Sequence, residues 1–154
     1  MLHGWNNRGS LSQSRKNGKG SSSIIKMSEN YDIDIISPEE VVLSDKVNSV
    51  TIPSFEGEMT ILSDHIPLIT FLRPGIIKIS GNKEAQYFVE EGTVEFSKNK
   101  LIILSSAVIN ISNLSKEKKS KMIEEAKSEL GKESLDDKKR YIMSHKVDCL
   151  SAIN

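Results

Sequence analysis

The chain has one cysteine and only three histidines, and these scarcities exclude several classes of protein. The single thiol, Cys149, cannot form an internal disulfide, and one unpaired cysteine is typical of a reducing compartment. His3, His65 and His145 lie far apart, and no HExxH or Cys/His cluster occurs, so we expect no metal site. No GxxxxGK[ST] segment is present, so we expect no ATP hydrolysis by the chain itself.

Long apolar runs are absent as well. No segment approaches the roughly 18 consecutive apolar residues of a membrane-spanning helix, so we expect contact with a membrane only through a partner. The chain has 154 residues, 37% of them hydrophobic, and a mean hydropathy of −0.33. This is the size of one domain, or of a small domain with an appendage.

The net charge of zero conceals an uneven distribution. Residues 1–28 contain five basic residues and no acidic residue. The rest of the chain therefore holds 16 of the 21 basic residues against all 21 acidic ones, a net charge of about −5. Because binding of nucleic acids depends on clustered Lys and Arg, this acidic body predicts no nucleic-acid partner.

Residues 1–26 are rich in Gly, Ser and Asn and show almost no apolar periodicity. Such a segment buries too little apolar surface to offset its ordering entropy, so we predict that it is disordered. Three origins are open: a start site placed upstream of Met27, an expression leader, or a transit-like peptide. We favour Met27 as the natural start, because the four glycines of the segment disfavour the amphipathic helix of a transit peptide.

From Tyr31 onward the pattern is that of β-strands. Tyr31, Ile33 and Ile35 alternate with aspartates, which predicts one buried and one wet face. Residues 41–43 and 47–52 are predicted as two short strands separated by a polar break. Ala85–Val89 is rich in β-formers, and several further short runs follow.

The turns and the last strands complete this pattern. Pro74-Gly75 fits the central positions of a type II turn, and Lys98-Asn99 fits a hairpin bend. Residues 101–104 are apolar throughout, which predicts a strand with both faces covered. We therefore predict an all-β sandwich, or a barrel, of about eight to ten antiparallel strands. No fixed repeat indicates a propeller or solenoid.

After residue 112 the apolar period becomes helical. Ser115 or Asn113 is positioned to cap a helix over Lys116–Leu130, and Gly131 to end it. Residues 134–137 match a capping box that opens a second helix. The predicted apolar stripes are Met122, Ile123, Ala126 and Leu130 on the first helix and Leu135, Ile142, Cys149 and Ile153 on the second, with His145 on the same side. Stripes this thin predict a hairpin that packs on the strands or on a partner.

Residues 55–79 hold the polar groups of most interest. Glu56 and Glu58 fit either a carboxylate pair for acid–base chemistry or a solvated turn, and the turn is favoured. His65 fits a hydrogen-bonded structural histidine better than a ligand. The spacing alone predicts a surface loop.

The same segment resembles the epsilon subunit of F-type ATP synthases, which is called delta in mitochondria. In that family an EGE turn leads through a short strand to His-x-Pro-Leu and then to a Pro-Gly turn. The matching residues are Glu56-Gly57-Glu58, Ile61-Leu62, His65-Ile66-Pro67-Leu68 and Pro74-Gly75. Residues 31–40 and 88–104 resemble the flanking strands, so the match spans about 30–130. Thr60 and Ser63 depart from the usual glycine and proline of the family.

The resemblance implies a central-stalk rotor subunit of a proton-translocating ATP synthase. Its implied partners are the gamma shaft subunit, the membrane c-ring and, transiently, the alpha/beta catalytic head. Glu56, Glu58 and His65 are then expected to contact the membrane ring and shaft. The implied location is peripheral, on the cytoplasmic face of the bacterial inner membrane, or on the mitochondrial matrix face if the leader is a transit peptide.

In this family the C-terminal hairpin can extend and obstruct rotation, with its basic residues facing the catalytic head. The corresponding residues are Lys138, Lys139, Arg140 and Lys146, for which a solvated helix face is the alternative. Some relatives bind ATP through an Asp-x-x-Arg segment. Ser115 and Lys118 occupy those positions here and lack the bidentate phosphate fork, so we expect no nucleotide and no other cofactor.

The predicted organisation is therefore a leader at 1–26, a β-sandwich domain at 27–112 and a helical hairpin at 113–154. The predicted protein is not an enzyme by itself. The competing interpretation is a free-standing β-sandwich that binds a ligand or serves as an adaptor and carries a helical tail.

Overall fold

The computed structural model describes residues 30–154, so the predicted leader at 1–26 lies outside the described residues. The described part consists of nine strands, one 3-10 turn at Ile111–Asn113 and two helices. The strands are β1 (Tyr31–Ile36), β2 (Val41–Ser54), β3 (Gly57–Leu62), β4 (Leu68–Leu72), β5 (Gly75–Gly81), β6 (Ala85–Val89), β7 (Gly92–Ser97), β8 (Lys100–Ser105) and β9 (Val108–Asn110). The helices are α1 (Lys116–Leu130) and α2 (Asp137–Ala152). The predicted fold class is confirmed.

No helix among the described residues is long and apolar enough to cross a membrane.

The strands form two layers that share the long strand β2. The first layer has the order β1-β8-β7-β4, and the second contains β3, β2, β5, β6 and β9. The first half of β2 pairs with β1, and its second half pairs with β3 and β5 and meets β4 at Ser54. All pairings are antiparallel except β1–β8, which is parallel. Strand β2 therefore closes the two layers into a flattened sandwich.

The prediction of two short strands at 41–43 and 47–52 was wrong, because β2 is continuous over 14 residues. The supposed break stays in the ladder: Ser44 pairs with Asp34, and Asp45 pairs with Ile33. The Ser44 hydroxyl donates to the Asp34 carboxylate at 2.7 Å. Both side chains are exposed, and pairing with β1 keeps the two residues in the strand without a turn.

The prediction of a type II turn at Pro74-Gly75 was also wrong. Gly75 begins β5 and has no positive φ, as such a turn would require. A Cβ at this position would lie 2.6 Å from the Cβ of Pro53, so close packing on β2 explains the glycine. The predicted bend at Lys98-Asn99 is confirmed, with φ values of 51° and 53°.

The interior between the layers contains the alternating apolar residues of the strands. Its members are Tyr31, Ile33, Ile35, Val47, Val50, Ile52, Ile61, Leu72, Ile77, Ile79, Tyr87, Val89, Val94, Phe96, Leu101 and Ile103. The buried Tyr31 hydroxyl donates to the Ile61 carbonyl at 2.6 Å. This bond links the first layer to the second through a polar group that burial would otherwise leave unpaired.

The prediction that both faces of 101–104 are covered fails within the described chain. Leu101 and Ile103 point into the core and are fully buried, whereas Leu104 is 46% exposed. Strand β8 belongs to the first layer, whereas the strand that α2 contacts most is β5 of the second layer. The outer face of the first layer therefore keeps its apolar side chains exposed.

The two helices form an antiparallel hairpin. The Lys119 ammonium donates to the Ile153 carbonyl at 2.5 Å, and Arg140 Nη1 donates to the Leu130 carbonyl at 3.2 Å. Ser115 caps α1 as predicted, and Gly131 ends it.

The predicted capping box at 134–137 was misplaced. Asp136 caps α2, because its carboxylate accepts the Lys139 backbone N–H at 2.8 Å. Helix α2 consequently begins at Asp137.

Four buried hydrophobic residues lie outside the main core: Phe88, Ala126, Ile142 and Leu150. Phe88 points to the face of β6 opposite Tyr87 and Val89, yet its side chain is fully buried. Helix α2 contacts both α1 and β5, the strand beside β6, so these residues lie among the two helices and the second layer rather than between the two layers. The predicted stripes contained Ala126 and Ile142 but missed Leu150.

Candidate functional site

The predicted contact residues Glu56 and His65 lie at opposite ends of β3. Its six residues span about 20 Å at roughly 3.3 Å per residue. Glu56 lies in the tight turn before β3, and His65 lies in the connection after it. Spacing alone predicted a surface loop here, whereas the resemblance implied a short strand between the two motifs. The structure forms two separate polar ends joined by the edge strand β3.

The β2–β3 turn is built on a buried serine. Ser54 Oγ donates to the Gly57 carbonyl at 2.7 Å and accepts the Glu56 backbone N–H at 3.2 Å. Gly57 has a φ of 123°, which favours glycine. Glu58 lies just beyond, with its carboxylate 3.7 Å from the Lys78 ammonium and both side chains more than half exposed. An ion pair this exposed stabilises little, so Glu58 is available to a partner.

The connection that carries His65 is held by the β7–β8 turn. The Asp64 backbone N–H donates to Asn99 Oδ1 at 2.8 Å, and Asn99 Nδ2 donates to the Asp64 carboxylate at 2.9 Å. The imidazole Nδ1 of His65 lies 2.7 Å from the Ile66 carbonyl, and the ring meets Phe96 edge-on at 6.0 Å. His65 is therefore positioned by its own loop and by the core, as a structural histidine is.

Helix α2 docks on the sandwich through six residues that we call the latch. They are Phe55, Arg73 and Glu90 on the sandwich and Tyr141, His145 and Lys146 on α2. The Tyr141 ring stacks on Phe55 with 5.7 Å between centroids. Arg73 Nη1 lies 3.4 Å from both the Tyr141 hydroxyl and His145 Nε2. None of these pairings was predicted, because their partners are far apart in sequence.

The latch contains the least exposed ion pair among the described residues. Lys146 Nζ lies 2.5 Å from a Glu90 carboxylate oxygen, with side-chain exposures of 15% and 26%. Lys146 was predicted as a free basic residue of a regulatory helix. In the docked hairpin, Lys146 is instead paired with Glu90 of the same chain.

Replacing Lys146 with methionine is expected to destabilise the docked hairpin. The change keeps a long apolar stem but leaves the Glu90 carboxylate partly buried without its cation. We expect a loss of about 1–2 kcal/mol, between the values for surface and fully buried pairs. Urea unfolding, combined with hydrogen exchange of the α2 amides, measures this loss of stability.

The control for this variant is Lys139→Met, an exposed lysine on the same helix. It should change stability by no more than about 0.5 kcal/mol. Equal losses in both variants would show that the Lys146–Glu90 pair adds nothing to docking.

Burial affects two ionisable groups on α2. Burial, together with the positive charge of Arg73, lowers the pKa of His145, and Asp148 opposes this weakly. Burial raises the pKa of the Cys149 thiol to about 11, against a smaller opposing effect of Arg73. Cys149 is consequently protonated and poorly reactive in the docked state.

The other predicted regulatory residues lie near the start of α2 and are exposed. Lys138 lines an open groove together with Phe55 and Phe71. Arg140 ties the two helices together through the Leu130 carbonyl. Lys138 and Lys139 therefore point outward without a charge partner shown within the described chain.

The positions that nucleotide-binding relatives use serve helix capping here. Ser115 Oγ accepts the Lys118 backbone N–H at 3.1 Å. This arrangement accounts for Ser115 without a ligand.

Sequence reasoning missed an apolar face on the outside of the first layer. Ile69 is 72% exposed, Phe71 59% and Leu104 46%. Thr93 of β7 pairs with both Phe71 and Leu104, so these two side chains flank one position of the same face. The signal was present in the apolar run at 101–104. The outward face of this run is also apolar, but no part of the described chain covers it. An uncovered apolar face of this kind is typical of a surface that binds another protein.

Comparison with known proteins identifies the family. The family model of the ATP synthase delta/epsilon chain β-sandwich domain matches residues 30–111. The ATP synthase epsilon chain of Pelagibacter ubique is 43% identical over 130 residues, which cover 83% of this chain and 100% of that protein. The epsilon chain of Rhizobium etli (strain CIAT 652) is 35% identical over 106 residues, covering 68% and 78% of the two chains.

Solved structures show the same fold. A chain of the Euglena gracilis mitochondrial ATP synthase assembly of OSCP, F1 and c-ring superposes with a TM-score of 0.66 at 24% identity, covering 80% of this chain and 81% of that one. A chain of the Tetrahymena thermophila central stalk and c-ring gives a TM-score of 0.53 at 13% identity, covering 78% and 92%. The fold, the family match and the curated relatives agree: the chain belongs to the ATP synthase delta/epsilon family.

Proposed function

We propose that this chain, an epsilon-type subunit of the rotor stalk of an F-type ATP synthase, joins the shaft to the membrane ring through its sandwich and carries regulation in its hairpin. It performs no catalysis itself and acts as a mechanical link. The functional division falls between the sandwich at 27–112 and the hairpin at 113–154. The relation to epsilon chains leaves the free-standing ligand-binding alternative without support.

The apolar face carries this proposal. Ile69, Phe71 and Leu104 expose large hydrophobic side chains on neighbouring strands, which a monomer rarely does over a contiguous area. Covering them would remove apolar surface from water at about 25 cal/mol per Å². We assign this face to the gamma shaft subunit, because a rotor subunit needs a permanent contact and permanent interfaces are the more hydrophobic ones.

The polar ends of β3 fit the other partner, the membrane c-ring. Within the described chain β3 pairs only with β2, so its outer edge is open. Glu56 and Glu58 lie at one end of this edge and His65 at the other. Polar contacts of this kind fix orientation more than they add affinity. The separation of about 20 Å along the strand gives two points of attachment, which resist rotation better than one.

This assignment predicts a loss of coupling when Glu56, Glu58 and His65 are all replaced by alanine. The side chains of both glutamates are exposed, so the isolated fold should change by about 0.5 kcal/mol per site or less. ATP-driven proton pumping should fall in membranes reconstituted with the variant complex, while ATP hydrolysis continues.

The matched control replaces Glu124, Glu125 and Lys127, three exposed residues of α1, with alanine. It should pump as the unmodified complex does. Normal pumping by the β3 variant, with its fold intact, would mean that these residues form only a surface turn.

The hairpin is the regulatory part of this proposal. Lys138, Lys139 and Arg140 are exposed at the start of α2 and suit transient contact with acidic segments of the alpha/beta head. Lys146 becomes available only after its pair with Glu90 opens. In this arrangement the subunit is peripheral, on the cytoplasmic face of a bacterial inner membrane, or on the matrix face if residues 1–26 are a transit peptide.

A further inference from the structure

The latch contains one group that titrates near neutral pH, and it faces a permanent cation. His145 Nε2 lies 3.4 Å from Arg73 Nη1, and the same guanidinium nitrogen lies 3.4 Å from the Tyr141 hydroxyl. With the imidazole neutral and its proton on Nδ1, Nε2 accepts from Arg73. A proton on Nε2 removes this acceptor and places two positive charges in contact.

We propose that the contact between His145 and Arg73 makes docking of the hairpin sensitive to protons, so that acidification releases α2 from the sandwich. The bistable element is the interface between α2 and the second layer. Docking of α2 favours the neutral imidazole of His145, whereas the released helix accommodates the neutral and the protonated imidazole alike. This inference deepens the proposed regulatory role of the hairpin but concerns a contact within the chain alone.

The remaining charged groups around His145 do not cancel Arg73. Glu58 of β3 and Lys78 of β5 line the same cavity but face each other at 3.7 Å, so their charges offset. Asp148 lies on α2 itself and moves with it, so it favours the imidazolium in the docked and released states alike.

Two further groups lie nearby: the Tyr141 ring, which meets the imidazole at 4.3 Å, and the Cys149 thiol, which burial keeps protonated. Arg73 is thus the charge that differs most between the two states.

The direction of the effect follows from linkage. The pKa of His145 is lowered in the docked state by burial and by Arg73. The released state therefore binds more protons, and the stability of docking rises with pH. Docking is fully stable above the ordinary histidine pKa of about 6.5 and weakens as pH falls from there towards the lowered docked value.

The chain contains its own reporter of release. Cys149 is its only cysteine, lies four residues after His145 on α2, and is half-buried when the helix is docked. A maleimide reacts with this thiol mainly after the hairpin opens, so the labelling rate measures the open population. The intrinsic pH dependence of the thiol is common to all variants and cancels in a ratio of rates.

The test compares the full unmodified chain with His145→Gln, which keeps an acceptor but cannot titrate. We expect the ratio of labelling rates, unmodified over variant, to rise several-fold between pH 7.5 and pH 5.5. A ratio that stays constant over this range would overturn the proposal. Far-ultraviolet circular dichroism at each pH checks that both chains keep their helices.

A second variant, Arg73→Gln, keeps His145 but removes the opposing cation. Because burial also lowers the pKa of His145, the labelling rate of Arg73→Gln relative to His145→Gln should still rise on acidification, but by a smaller factor than for the unmodified chain. A pH response equal to that of the unmodified chain would also overturn the proposal. Neither outcome depends on the assembled synthase, so failure here and failure of the stalk assignment are separate results.

Discussion

Replacing Phe71 with aspartate is expected to weaken binding of this subunit to its shaft partner by about 100-fold or more. Phe71 is 59% exposed on the apolar face, between Ile69 and the side chain of Leu104 across β7. Aspartate would remove a large aromatic contact and place a carboxylate in an otherwise apolar contact surface. Losses of about 3 kcal/mol are typical of aromatic positions at interface centres, which is about 100-fold in affinity. Titration calorimetry with the shaft subunit measures this loss.

The control for this substitution is Leu62→Asp. Leu62 is exposed to a similar extent, 56%, but lies on β3 in the second layer. It should bind the shaft within about twofold of the unmodified chain. If Leu62→Asp weakened binding and Phe71→Asp did not, the shaft would bind the second layer and the assignment of the apolar face would be wrong.

Gly92→Ala is expected to be the most damaging small substitution in the sandwich. A Cβ built at Gly92 would lie 2.0 Å from the Leu104 carbonyl oxygen and 2.8 Å from Ser105 Cα. These are backbone atoms of β8, so relief requires β7 and β8 to separate at the start of their ladder. We expect a loss of about 3 kcal/mol or more and a fall in Tm on the order of 10 °C.

Gly131→Ala provides the control. Gly131 has a φ of −76°, and the nearest atom to its added Cβ would be 3.5 Å away, an ordinary contact. The unfolded chain becomes less flexible, so stability should rise slightly or stay the same. A Gly92→Ala variant as stable as Gly131→Ala would show that the β7–β8 ladder relaxes without cost.

Much of the fold follows from local pattern. The period-two alternation at Tyr31, Ile33 and Ile35 correctly identified the inward face of β1. Ser115 and Gly131 correctly bounded α1, because caps depend on neighbouring residues only. The continuity of β2 could not be read locally, since Ser44 and Asp45 stay in the strand only through pairing with β1.

The functional surfaces were less accessible to prediction. Each latch contact joins the sandwich to α2 across 50 or more residues, as between Arg73 and His145, so no local spacing encodes it. The run at 101–104 correctly indicated apolar residues on both faces of β8, but the cover of the second face is not in the described chain. A hydrophobic pattern predicts burial without saying which molecule provides it.

The most direct test of the stalk assignment is whether this chain forms a stable complex with the gamma shaft subunit of the same enzyme. Light scattering after size-exclusion chromatography of the two purified proteins gives the mass of what they form. We predict a 1:1 complex that survives the column and that Phe71→Asp abolishes. Elution of the unmodified chain as a monomer beside a free shaft would contradict the account.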